Sequence, residues 1–208
     1  MARVEALRGS DYCHEIVVAA AGGTLTQADA EGGGFELVAC EPGRGGQLNR
    51  GAERCSGDVL VFNHADTWLG PEHLEALAGG LGDAVGGAFY KALRIHHPSV
   101  GWTERFVRWW TRRWGVLYGD QSVFVRREVF RRMGGFREIP LMEDVEFSGR
   151  LRKEGRLVML EPVLETSMRR FREDGYWRTK GRNVVFVWIF RLGWASPESL
   201  YRWYYEKR

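Results

Sequence analysis

The chain has 208 residues, 44% hydrophobic and 27% charged, which fits one soluble domain over residues 1–208 and is too short for two full ones. Its longest apolar run, residues 184–190, falls far below the roughly 20 residues that span a membrane. A net charge of +3, with arginines crowded into 105–132 and 169–191, favours partners carrying phosphate or anionic headgroups. The three cysteines, Cys13, Cys40 and Cys55, form no CxxC pair and no metal spacing, and an odd, scattered set suits a reducing compartment. With no leader at the N-terminus, the expected location is cytoplasmic, with peripheral contact at the inner membrane face.

In chain order, residues 2–9 read as the end of a short helix and 14–21 as a strand running into the Gly22-Gly23 turn. A weak helix at 24–31 stops at the glycine triplet 32–34, and 35–40 is a second strand. Residues 42–46, PGRGG, read as a loop whose backbone can approach an anion closely, followed by a helix over 47–55. Next comes the stretch around which the rest is arranged, SGDVLVFNHADTWLGP at 56–71. It is a turn, a strand at 59–62 covered on both faces, then Asn63, His64, Asp66 and Thr67. Pro71 opens a helix to 81 at the position where its missing N–H costs nothing.

A strand follows at 84–91. The stretch 96–114 then places Trp102, Phe106, Trp109 and Trp110 near helical spacing with arginines between them. Gly119-Asp120-Gln121 is a break, 122–125 a strand, 126–133 a helix stopped by Gly134-Gly135. Glu143 and Asp144 open a helix to 154, where carboxylates meet the positive end of the helix dipole. The last strand is 156–162. Two helices close the chain, one aromatic and basic at about 176–192, the other from Ser196-Pro197. The alternating strands and helices of the first half predict a parallel sheet with right-handed crossovers.

Ligands in such sheets lie at the carboxyl ends of the strands. Asp66, at one such end, either caps its loop or holds a divalent cation. His64 is better read as a hydrogen-bonded strand-end residue than as a metal ligand. The apolar run 184–190, flanked by Arg178, Lys180, Arg182 and Arg191, either covers the sheet or lies in a membrane interface. Two acidic clusters with arginines on an α/β frame point to a metal-bridged diphosphate facing a carboxylate base.

Several runs carry a resemblance. They are Arg44-Gly45-Gly46-Gln47-Leu48-Asn49-Arg50-Gly51-Ala52, Gly57-Asp58 through His64-Ala65-Asp66-Thr67, Gly86-Gly87-Ala88-Phe89, Gly119-Asp120-Gln121, Phe124-Val125-Arg126-Arg127, Gly134-Gly135-Phe136 and Pro140-Leu141-Met142-Glu143-Asp144. In this order they resemble a short bacterial branch of glycosyltransferase family 2. The resemblance implies a GT-A fold: a three-layer α/β/α arrangement around a mostly parallel mixed sheet. It also implies an enzyme that moves a sugar from a nucleotide-diphosphate donor to an acceptor hydroxyl, on a lipid or a small molecule.

By the same resemblance Asp66 binds a divalent metal (Mg²⁺ or Mn²⁺) on the donor diphosphate, and Asp144, with Glu143 beside it, is the general base. Arg44, Gln47 and Asn49 contact the nucleotide, Arg169 and Arg170 stabilise the leaving diphosphate, and Asp120 and Gln121 face the acceptor. Two departures stand out: no strand corresponds to the family's first, and Ala21 replaces the aspartate that contacts the base. They make a non-catalytic GT-A-like binding domain the second reading, and the incomplete sheet adds a homodimer to the expectations. No nucleic-acid-binding motif is found, so nucleic acid is not expected as a partner.

Overall fold

The computed structural model describes residues 2–23, 25–92, 109, 115–166 and 176–205. The aromatic–arginine stretch of 96–114, Trp109 apart, and the pair Arg169 and Arg170 lie outside the described residues. In order the elements are α1 (Ala2–Arg8), β1 (Val17–Ala21), α2 (Gln27–Gly33), β2 (Glu36–Cys40), α3 (Arg44–Arg54), β3 (Val59–Phe62), β4 (Thr67–Trp68) and α4 (Pro71–Gly80). After these come β5 (Gly86–Ala92), a 3₁₀ turn (Gly119–Gln121), β6 (Val123–Arg126), α5 (Arg127–Arg132), α6 (Glu143–Glu154), β7 (Leu157–Thr166), α7 (Tyr176–Arg191) and α8 (Pro197–Tyr205).

Local chemistry sets several of these ends. The Thr26 hydroxyl accepts from the N–H of Asp29 at 3.2 Å while the Asp29 carboxylate accepts from the N–H of Thr26 at 2.8 Å. That reciprocal pair starts α2, and Gly34 in the left-handed region (φ 65°) ends it. The loop expected at 42–46 is shorter than its glycines suggest, because helix α3 already begins at Arg44. A Cβ on Gly45 would stand 2.4 Å from the Arg137 carbonyl oxygen, so a bare residue there lets the first turn of α3 pack against the chain ahead of α6.

The sheet departs from one continuous parallel array. Strands β1 and β2 pair in parallel by themselves, and the other five run in the order β3-β6-β5-β7-β4. In the larger sheet β5 and β7 are parallel, while β6 and β4 run against their neighbours. Strands β1 and β3 share no ladder. Their starts are nevertheless tied together, since Glu15 accepts from the N–H groups of Ser56 at 2.5 Å and Gly57 at 2.9 Å. Where a first family strand is expected, the described residues supply none. The last strand runs past Pro162 to Thr166. Register against β5 shifts between Phe89/Leu160 and Lys91/Leu164, so the proline falls in a bulge, where a strand tolerates its missing donor.

Side chains alternate across the strands into two cores, giving three layers. Leu60, Phe62, Ala88, Val123 and Val125 join Ala52 of α3, Phe130 of α5 and Phe147 and Leu151 of α6 on one face. On the other, Phe89, Phe124 and Leu164 meet Leu74 and Leu77 of α4. In the first core the Phe136 ring stacks on Phe147 at 4.1 Å and meets Phe62 edge-on at 4.9 Å, contacts worth about 1 kcal/mol each beyond burial. This cluster fixes α6 against the end of β3, which matters because Glu143 lies one helical turn before Phe147 on the same face.

Candidate active site

Three segments meet at the carboxyl end of β3. The first is the turn between β3 and β4, held by Asn63. Its Oδ1 accepts from the Ser122 hydroxyl at 2.6 Å and its Nδ2 donates to the Thr67 carbonyl at 3.2 Å. That clamp presents His64, half-buried, and Asp66, exposed. The second is the first turn of α3, which brings Arg44. The third is the N-terminus of α6, where Met142 adopts a left-handed conformation (φ 70°), at a cost of about 1–2 kcal/mol, before Glu143 and Asp144.

Arg44 joins them. Its Nη2 lies 2.7 Å from Nδ1 and 2.5 Å from Nε2 of His64, and its Nη1 lies 3.3 Å from Oε1 of the buried Glu143. A guanidinium carries a fixed positive charge and only donates, so its approach this close to the ring favours the neutral imidazole over the imidazolium. Burial, and then the Arg44 charge, push the His64 pKa down to about 4 against the pull of Asp120 and Asp66. Glu143 shifts the other way: burial, then the adjacent Asp144, raises its pKa, with Arg44 opposing.

Asp144 is held by backbone. Its Oδ2 accepts from Gly119 N–H at 2.7 Å and its Oδ1 from Val145 N–H at 2.8 Å. Burial raises its pKa, and these hydrogen bonds with Arg44 counter that only in part. Gly119 has no room for a side chain, because a Cβ would stand 2.6 Å from His64 Nε2 and 3.2 Å from Arg44 Nη2. Beside it, Asp120 forms an ion pair with the half-buried Lys91.

Of the residues expected from sequence, Arg44, Asp120, Glu143 and Asp144 share one network around His64, and Asp66 lies within its electrostatic reach. Gln121 is buried, and its Oε1 accepts from Tyr118 N–H at 2.9 Å, closing the 3₁₀ turn. Gln47 donates to the Ala19 carbonyl at 3.3 Å, in the middle of β1. Asn49 spends both ends of its amide on the Phe136 backbone, donating at 2.9 Å and accepting at 2.8 Å. Lys91 was not expected as a site residue, whereas Gly119 was expected near the acceptor entrance as part of the Gly119-Asp120-Gln121 run. Lys91 had a signal, since it ends a strand at the same edge as His64; for Gly119, spacing could not reveal the close approach to His64 and Arg44.

A model of glycosyl transferase family 2 matches residues 9–139, more than half the chain and all of the site except α6. The chain belongs to that family. Comparison with curated protein sequences gives no match. Among solved structures this family 2 chain resembles a mannosyltransferase from Pyrobaculum calidifontis in complex with GDP-Man and Mn²⁺. That match has TM-score 0.56 and 18% identity, over 80% of this chain and 52% of the other. It also resembles glucosyl-3-phosphoglycerate synthase from Mycobacterium tuberculosis, solved with Mn²⁺, UDP-glucose and phosphoglyceric acid. There the TM-score is 0.55 and the identity 19%, over 86% of this chain and 69% of the other. The chain spans about half the length of the mannosyltransferase. At these identities the likeness establishes the fold, an α/β architecture of the GT-A type.

The donor atoms fit a divalent cation only where the substrate supplies most of its ligands. No group of three or more His, Cys, Asp or Glu among the described residues can cage a metal, and His64 is occupied by Arg44. Asp66 leaves one exposed carboxylate, which suits a cation that takes most of its oxygens from substrate phosphate and water, as Mg²⁺ and Mn²⁺ do.

Proposed function

We propose that the protein transfers a glycosyl group from a nucleoside-diphosphate sugar to an acceptor hydroxyl, with Asp144 as the base and Asp66 as the protein's ligand to a divalent cation. The observation that carries this reading is the convergence of Arg44, His64, Glu143 and Asp144 from three separate segments at one strand end. The site and its surroundings contain Asp66, Asp120, Glu143 and Asp144 against Arg44 and Lys91, an acid excess that repels a bare diphosphate. A bound cation supplies the missing positive charge to the diphosphate.

The residues of this chain then have separate tasks. Asp144 takes the proton of the acceptor hydroxyl as its oxygen bonds to the anomeric carbon and the bond to the diphosphate oxygen breaks. Burial makes its carboxylate a better base than a solvated one, and the N–H groups of Gly119 and Val145 fix its direction. Arg44 opposes the upward shift of Glu143 beside it and, with burial, keeps His64 neutral. Lys91 and Asp120 stand on the acceptor side with Gln121. The expectation that Arg169 and Arg170 meet the leaving diphosphate remains part of this proposal.

A second reading, a binding domain without transfer activity, draws on the nucleotide side: Asn49 is committed to the Phe136 backbone, and among the described residues β1 pairs only with β2. Calorimetric titration with UDP- and GDP-sugars, with and without Mn²⁺, combined with a donor-hydrolysis assay, separates the two. We expect metal-dependent binding that Asp66→Ala removes, and an Asp144→Asn variant that binds donor but hydrolyses it about 10²–10⁴-fold more slowly. Binding with no turnover in the unmodified protein favours the second reading, and unchanged turnover in Asp144→Asn overturns the assignment of the base.

A further inference from the structure

Ten large hydrophobic side chains are exposed among the described residues, and seven of them lie between 184 and 205, on α7, α8 and the turn joining them. This concentration calls for a partner, since scattered exposed apolar residues are ordinary but a contiguous patch is not.

Helix α7 explains how the patch arises, because it is apolar on both sides. One side packs inward: Val187 is buried against Val116 and Val145, and Phe190 rests on the same cluster. At 100° per residue, Val184, Val185, Trp188 and Leu192 fall within an arc of about 100° on the opposite side. There Val185 is 52% and Leu192 50% exposed. The chain then turns through Trp194, 75% exposed, into α8. That helix is locked to α7 by Tyr204, whose ring lies 4.4 Å from the Arg182 guanidinium carbon and 6.0 Å from the Phe186 ring. Its own Trp203 and Tyr205 remain outside.

Charge selects the occupant. Residues 176–205 contain four arginines and one lysine against a single acid, Glu198, so the hairpin carries a clear positive excess in a chain whose total is only +3. Arg191 and Arg202 are exposed beside the aromatics. Tryptophan and tyrosine with arginine, over an aliphatic stripe, is the composition that suits the boundary between lipid headgroups and acyl chains. No helix among the described residues is long and apolar enough to cross a membrane.

We propose that the α7–α8 hairpin seats on an anionic lipid surface, with Trp194 and the outer stripe of α7 at headgroup depth and the arginines on the lipid phosphates. The proposal is independent of the transfer reaction, because it uses none of the site residues.

The test is sedimentation of the full chain with two kinds of vesicle, phosphatidylcholine alone and an equimolar mixture with phosphatidylglycerol. We expect binding to the mixed vesicles, a blue shift of tryptophan fluorescence, and weakening as salt rises. Replacing Trp194 and Leu192 by Ala, both exposed and in or beside a turn, lowers the partition coefficient about tenfold while the circular dichroism stays unchanged. Absence of binding to mixed vesicles overturns the proposal, as does binding that the double variant leaves intact. Equilibrium ultracentrifugation covers the rival occupant: a dimer that the double variant dissociates, without vesicle binding, assigns the patch to a second copy instead.

Discussion

At the scale of single residues, the site depends on close approach more than on acidity. Gly119 lets the 3₁₀ turn touch His64 and Arg44 while its N–H directs Asp144. Gly119→Ala puts a methyl group 2.6 Å from an imidazole nitrogen that is already held by a guanidinium, so the ring or the turn must move. We expect a loss of about 1–3 kcal/mol, read from urea denaturation, together with loss of donor hydrolysis. Gly149→Ala is the matched control. It lies inside α6 with nothing within 4 Å of the new Cβ, and it should gain up to about 1 kcal/mol through helix propensity alone. Equal effects from the two would mean that crowding at Gly119 is unimportant. The sequence pattern marked residues 119–121 as a break but carried no sign of what the glycine must avoid, because that neighbour comes from position 64.

At the scale of elements, most of the frame was legible and the exceptions have physical causes. The turn at Gly22-Gly23, the stop at Gly34 and the start at Pro71 follow from backbone freedom and a missing N–H, which are local properties. Strand β4 was not foreseen because two residues carry no periodicity, and β7 was expected to end at Pro162 because nothing local announces a bulge. Arg44, expected on a loop, is helical because Gly45 finds a packing site on Arg137. The break between β1 and β3 bears directly on stability. Neither β1 nor β2 has a fully buried residue, whereas β6 is buried at three of its four positions. A two-stranded ladder is marginal without support, and the main support here is α3. Hydrogen exchange followed by mass spectrometry should therefore find the β1–β2 amides opening by local fluctuation, at least tenfold faster than those of β5 and β6. Equal protection of both sheets would show that the small sheet folds and unfolds with the large one.

At the scale of the whole molecule, ionisation at the site feeds back on folding, and the signs oppose one another. His64 has a folded-state pKa near 4 against an ordinary 6.5, so the unfolded chain takes up the proton first. The stability it contributes is complete above pH 6.5 and is lost as pH falls toward 4. Glu143 and Asp144 are raised. Their contribution is therefore present below the ordinary carboxyl range and is lost as pH rises through their folded values. Acidification thus removes the support of His64 while it relieves the buried acid pair, and the total profile alone cannot assign either. Replacing His64 by Asn separates them, because it keeps a polar group of similar reach but removes titration between pH 4 and 6.5. The urea midpoint of the unmodified protein should exceed that of His64→Asn at pH 7, and the gap should close as pH falls to 4.5. A gap that stays constant over that interval would mean that the ring is not held neutral by Arg44 and burial, and the electrostatic order inferred around the base would fall with it.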